Sequence, residues 1–203
     1  MRSDTAANAE LVREIVRVAL GDALEILLAI TVMESQNAGG VNDRLSDAGA
    51  AQAGIVVRNA LITHLVTRIT RAYSDSRAGD LHLRRAFEIL RDNPQIRAVF
   101  QQNASDDALR EAEAYFQKCR GDHRLPRIEH FRDKIVVHLG QLKDIPAPLY
   151  KELFAFAHAT IEAIEKLAFA IGVANVRVND NIDAEPAAEA FWKPWKLANA
   201  DRP

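Results

Sequence analysis

The residues best equipped for chemistry lie in one phrase, Phe131-Arg132-Asp133-Lys134-Ile135-Val136-Val137-His138-Leu139, an Arg-[Asn/Asp]-x-x-x-x-His pattern. A histidine titrates near neutrality and can take or give a proton. An arginine stays charged and offers a planar fork to phosphate oxygens. Together they equip a site for acid–base chemistry at a phosphate. A rival phrase, Arg58-Asn59-Ala60-Leu61-Ile62-Thr63-His64, has the same pattern. Spacing cannot choose between them, but helical geometry can. Around the later phrase the apolar stripe is Ile128, Phe131, Ile135, Leu139 and Leu142. At about 100° per residue, Arg132 falls about 60° to one side of Ile135 and His138 about 60° to the other. Both flank the packed stripe, where a side chain is oriented yet reaches solvent. Val136 and Val137 lie off the stripe, so this helix is predicted to be central or covered by a partner subunit.

Around the earlier phrase the stripe is Ile55, Ile62, Leu65, Val66, Ile69 and Tyr73. Arg58 falls within it and His64 on the opposite face, so those two cannot act together, and His64 is expected at the surface. A cation inside an apolar stripe needs a partner or a polar cavity. Arg58 is therefore either half of a structural ion pair or a residue at the edge of the active cleft.

The elements that must position these groups are helices, because 3.6-residue periodicity dominates the chain. A long first helix is predicted over about 7–34, then a loop over 35–50 broken by Gly39 and Gly40, with Ser46 or Asp47 capping a second helix, about 48–73. Asp80 caps a short helix, 81–91, and Pro94 opens another that ends near Gln102. Ser105, Asp106 and Asp107 start a helix to Arg120, stopped by Gly121. Pro126 opens the motif helix, about 127–142. A long helix, 148–171, ends at Gly172. Residues 173–203 form a loop and a short docking helix around Phe191, Trp192 and Trp195. The fold class is all-α, one bundle over 1–203 with short helices decorating longer ones.

Composition agrees. The chain has 203 residues, 48% hydrophobic and 27% charged, enough for a real core. A single cysteine, Cys119, excludes a disulfide framework and a cysteine-based zinc site. It is expected to be buried or inert. A net charge of −2 gives no global pull towards nucleic acid, so such affinity needs a local patch. No targeting segment is visible, and the apolar stretch 15–33 is interrupted by Arg17, Asp22 and Glu25, so a cytoplasmic protein without a membrane span is expected.

Arg132-Asp133-Lys134 followed by His138, the stretch from Arg58 to Leu90, the helix YKELFAFAHATIEAIEKLAFAIG and the late Trp192 together resemble the HEPN superfamily, and more narrowly its abortive-infection protein U type. The resemblance covers most of the chain. It implies a bundle of four or five helices, commonly dimeric, and a metal-independent endoribonuclease of toxin or antiviral-defence type that needs no cofactor. Arg132 and His138 would be catalytic, with Asp133, Lys134, Arg58 and Asn59 in support. RNA would be the substrate, a second copy would complete the site, and an antitoxin or regulatory protein is a possible partner. The other reading is a non-catalytic HEPN helical module that binds a nucleotide or protein partner. In HEPN toxins silenced by adenylylation a tyrosine often stands two residues after the histidine. Here that position is Gly140, which makes such silencing unavailable.

Cleaving RNA without a metal needs a base for the ribose 2′-hydroxyl, an acid for the leaving oxygen and positive charge on the transition state. Positions six apart on one helix are separated by about 9 Å of rise and about 120° of rotation. One pair cannot grip one phosphate closely, whereas two copies across a two-fold axis bring paired groups into one cleft. Lys118, Arg120, Arg124 and Arg127, with Arg132, Lys134, His123 and His130, face only Asp122, Glu129 and Asp133 in sequence. This run either holds the phosphate backbone or is a solvated loop. Asp133 is either a helix-start charge or an orienter of the arginine or histidine. His82 and His123 are expected to be exposed. Trp192 and Trp195 either stack on bases or dock a terminal helix. His158 and Glu162, four apart, have no second ligand pair for a metal.

Overall fold

Four long helices, α1 (Arg2–Gln36), α3 (Ala51–Tyr73), α6 (Asp106–Arg120) and α8 (Tyr150–Ala170), carry the apolar stripes that build the core. The computed structural model describes residues 2–38, 40–75, 77, 79–101, 106–134, 149–181 and 183–195. Shorter helices fill the connections: α2 (Val41–Asp47), α4 (Leu83–Asp92), α5 (Pro94–Gln101), α7 (Arg124–Arg132), α9 (Val178–Asn181) and α10 (Ala184–Trp192), with a 3₁₀ turn over Lys193–Trp195. No strand occurs among the described residues. The protein is an all-α bundle, as the periodicity predicts. No described helix is long and apolar enough to cross a membrane.

α8 lies between α1 and α6, α1 also packs on α3, and α7 rests on α3 and α8. Along α8 the buried Leu153, Phe156, Ala157, Thr160, Ile161, Ile164, Leu167 and Ala168 follow the i, i+3, i+4 rule, and Ala163, Glu165 and Ala170 are buried beside that stripe because the helix is covered on more than one side. The helix closes in a Schellman motif: Gly172 takes φ 69°, its N–H donates to Phe169 O, and Val173 N–H donates to Ala168 O at 2.9 Å. At the centre Phe116 stacks on Tyr73 at 5.3 Å and on Phe87 at 4.4 Å between ring centroids. The Tyr73 hydroxyl donates to Thr160 Oγ1 at 3.2 Å, and burial pushes its phenol far above the ordinary range.

Several boundaries differ from the sequence reading. The predicted loop over 35–50 holds α2, which buries Val41 and Leu45. Gly49, at φ 69°, is the left-handed terminator of that helix, with Ala50 N–H donating to Leu45 O at 2.7 Å. Neither Ser46 nor Asp47 caps the next helix, because α3 starts at Ala51 behind Ala50, which has no capping side chain. Asp80 does not cap α4 either. Its carboxylate accepts the Arg77 N–H, and His82 is the N-cap. α7 starts at Arg124 rather than beside Pro126, because Asp122 ties up the turn before it. The C-terminal helix docks as expected: Trp192 is 3% exposed and its Nε1–H donates to Val32 O at 2.9 Å.

Candidate functional site

α7 is anchored at its start by a carboxylate clamp. Asp122 accepts the Arg124 backbone N–H at 2.8 Å and the guanidinium at 2.9 and 2.7 Å. The arginine holds the Asp122 carboxyl down at about 2. Leu125, Ile128 and Phe131 then face the core, so the period puts Arg132 at the edge of the packed face. Its side chain is 27% exposed. Asp133 Oδ1 accepts from Arg132 Nε at 2.8 Å and from NH2 at 2.6 Å. Asp133 thus grips one edge of the guanidinium and leaves NH1 unbonded among the described residues. Lys134 follows, half-buried. His138 and Gly140, with Ile135, Val136, Val137, Leu139 and Leu142, lie outside the described residues.

One group beside Arg132 was counted in the sequence only as an opposing charge. Glu129 sits one turn earlier on the same face of α7, half-buried, with no hydrogen-bond partner among the described residues. Burial raises its carboxyl; the Arg132 charge works against that shift, while Asp133 and Asp75 add to it. The three-residue spacing to Arg132 was the available signal.

The other predicted site residues are dispersed. Asp75, just past α3, is the residue of that neighbourhood whose charge reaches Glu129. Arg58 lies fifteen positions before Tyr73, about 22 Å back along α3. Arg58 and Asn59 therefore do not share a site with Arg132 within one chain. Arg58 is half-buried, has no carboxylate partner among the described residues and lines a small pocket.

The basic run is largely answered by acids. Arg124 pairs with Asp122, Arg132 with Asp133, and Arg127 NH1 lies 3.1 Å from Glu152 Oε2. Lys118 sits over the Tyr115 ring at 5.7 Å. Arg120 is exposed and, like Lys134, has no carboxylate partner among the described residues.

The remaining candidates are mostly structural. His64 is 39% exposed, but it is also part of an inter-helix network, with its Nε2 3.0 Å from Glu25. In that network buried Asp22 accepts from Arg68 at 2.9 Å and from Arg71 Nε at 2.8 Å. His123 is exposed as expected, whereas His82 is 21% exposed, because it is folded under as the N-cap of α4. Cys119 is buried, which raises its thiol. Glu162 accepts the Tyr115 hydroxyl at 2.6 Å rather than joining His158. Among the described residues no group of three His, Cys, Asp or Glu could hold a metal ion.

No family model matches the chain, no curated protein matches it in sequence and no solved structure matches its fold.

Proposed function

We propose that this chain is a metal-independent endoribonuclease of the HEPN kind, working on cytoplasmic RNA from a cleft completed by a second copy. The observation that carries the reading is the Arg132 guanidinium, held edge-on by Asp133 at 2.6–2.8 Å and partly open to solvent at the border of a packed face. A fork fixed on one side and free on the other suits a phosphate. His138, six residues on, takes the proton from the ribose 2′-hydroxyl. The 2′-oxygen bonds to phosphorus, the bond from phosphorus to the 5′-oxygen breaks, and a protonated partner delivers a proton to that oxygen. The products are a 2′,3′-cyclic phosphate and a 5′-hydroxyl. Arg132 stabilises the charge that builds on the phosphoryl oxygens. Lys134 adds a second cation, and an antitoxin or regulatory protein restrains the activity.

A second reading is favoured by the pairing of Arg124, Arg127 and Arg132 with carboxylates, which leaves little free positive charge for RNA. This is the non-catalytic helical module that binds a nucleotide or a protein. RNA cleavage in EDTA by the wild type, His138→Ala and Arg132→Ala decides between the two. The enzyme reading expects losses of about 10²–10⁴-fold for the histidine and about 10²–10³-fold for the arginine. Equal cleavage by all three, or none by any, leaves the binding module. A solution mass of one chain removes the shared cleft.

A further inference from the structure

Arg58 opens a question that the ribonuclease reading does not use. Its place in the apolar stripe of α3 demands either a counter-ion or a polar cavity. The described residues supply no counter-ion, and they do supply a cavity of about 210 Å³. The polar groups that line it with Arg58 are Gln36, Asn42 and Ser46, and Gly54 forms part of its wall. Gln36 is 2% exposed, and among the described residues its amide Nε2 donates to one partner, Asn42 Oδ1, at a long 3.3 Å. No carboxylate lines the cavity, and α3 carries neither Asp nor Glu over its whole length.

Two further features push the same way. The cavity abuts Ala51, the first residue of α3, whose N-cap Ala50 offers no side-chain acceptor to the free N–H groups of the first turn. That end of a 23-residue helix adds partial positive charge to the guanidinium. A glycine also sets the close approach here: a Cβ on Gly54 would meet Leu45 Cδ1 at 2.9 Å and Gln36 Nε2 at 3.4 Å, so its absence lets Gln36 and α2 sit this close to α3.

We propose that this cavity between α1, α2 and the start of α3 binds a phosphate-sized oxyanion, either free phosphate or the terminal group of a phosphate monoester. Arg58 supplies the fork, the Gln36 and Asn42 amides supply further donors, and the uncapped helix end supplies field; the Ser46 hydroxyl is already engaged, donating to Asn42 O at 3.0 Å. Size sets the class. At about 210 Å³ the cavity lies below the roughly 300–1,000 Å³ of pockets that enclose a whole small molecule, and suits a tetrahedral oxyanion. The remainder of a monoester would stay outside, over the exposed side of Ile55. This site is separate from Arg132 and stands whether or not the chain cuts RNA.

Calorimetric and thermal-shift titrations of the full chain with inorganic phosphate and with adenosine 5′-monophosphate test it. Saturable binding to the wild type is expected, weakened at least about tenfold by Arg58→Gln and unchanged by Arg110→Gln, which removes an exposed arginine outside every candidate site. Arg58→Lys keeps the charge but loses the planar fork, so it should also weaken binding, and it decides the matter if Arg58→Gln fails to fold. Tighter binding of the monophosphate identifies a monoester as the ligand, and equal or weaker binding identifies free phosphate; either upholds the site. No saturable binding to the wild type, or equal weakening by Arg110→Gln, overturns it.

Discussion

The two halves of α3 treat the same residue type in opposite ways. From Ile62 onward the helix is sunk in the bundle, with Leu65, Val66 and Ile69 fully buried, and its Arg68 and Arg71 both reach Asp22 on α1. Before Ile62 it stands off the bundle, with Val56 65% exposed and Arg58 facing a cavity instead of an acid. One amphipathic pattern runs through both halves, so the pattern does not mark where the packing stops. A guanidinium tied by a carboxylate to another part of the fold serves the fold, whereas Arg132, held only by its chain neighbour Asp133, keeps a free edge, and the unmatched Arg58 is free for a ligand. By the same test Arg124 and Arg127 belong with the fold.

The comparison breaks most visibly in the buried half. Ile69→Ala should cost about 2–5 kcal/mol, the ordinary toll for truncating a fully buried aliphatic side chain, read as a drop in urea midpoint at constant slope. A loss below about 1 kcal/mol would mean that α3 is loosely held along its whole length. Asp22→Asn comes next, at about 1–3 kcal/mol. It leaves two half-buried arginines facing each other, although both can turn partly towards water. Restoration of stability by a second change, Arg71→Leu, would show that the pair serves the fold and nothing else.

These contrasts also show what was legible in the sequence. Helical class and nearly every long helix followed from periodicity, and Gly172 announced the end of α8, because a left-handed residue is the ordinary way to close a helix. The same chemistry at Gly49 was misassigned: seven residues are too few for a periodic signal, so the glycine passed for part of a loop. Arg58 stands out in the sequence as a cation in an apolar stripe, yet its cavity is invisible there, since its walls come partly from α1 and α2 and no local pattern reports on Gln36 or Asn42. The pairing of Arg127 with Glu152 was hidden for the same reason, being a contact across 25 positions. Glu129 is legible in the sequence only when charges are assigned to helix faces, because a sum of charges along the chain counts it merely as an acid opposing the basic run.

A matched arginine should also leave a pH signature. Arg124 holds the folded-state Asp122 carboxyl at about 2, below its ordinary 3.8. A depressed carboxyl contributes stability that is complete above the unfolded value and disappears as pH falls through the folded one. The window therefore runs from about pH 4 down to about pH 2. With the side chain 21% exposed, solvent screening trims the contribution to about 1–2 kcal/mol. Asp122→Asn should be less stable than the wild type by that amount near neutrality, with the gap closing in acid. A gap independent of pH would assign the loss to the turn hydrogen bond rather than to the charge pair.

The smallest effect sharpens the comparison furthest. In phosphate-free buffer, Val56→Ala and Arg58→Gln should each change stability by no more than about 0.5 kcal/mol, as surface substitutions do. For Arg58 that near-silence has a physical meaning: a guanidinium held in a cavity without a counter-ion is solvated by water there, and removing it strands no partner. Were Arg58→Gln to destabilise the chain by about 2 kcal/mol without phosphate, the arginine would have a structural partner of its own, and the exposed half of α3 would belong to the fold as fully as the buried half. Were it to stabilise the chain, the charge would be held at a cost to folding, the ordinary mark of a residue retained for binding.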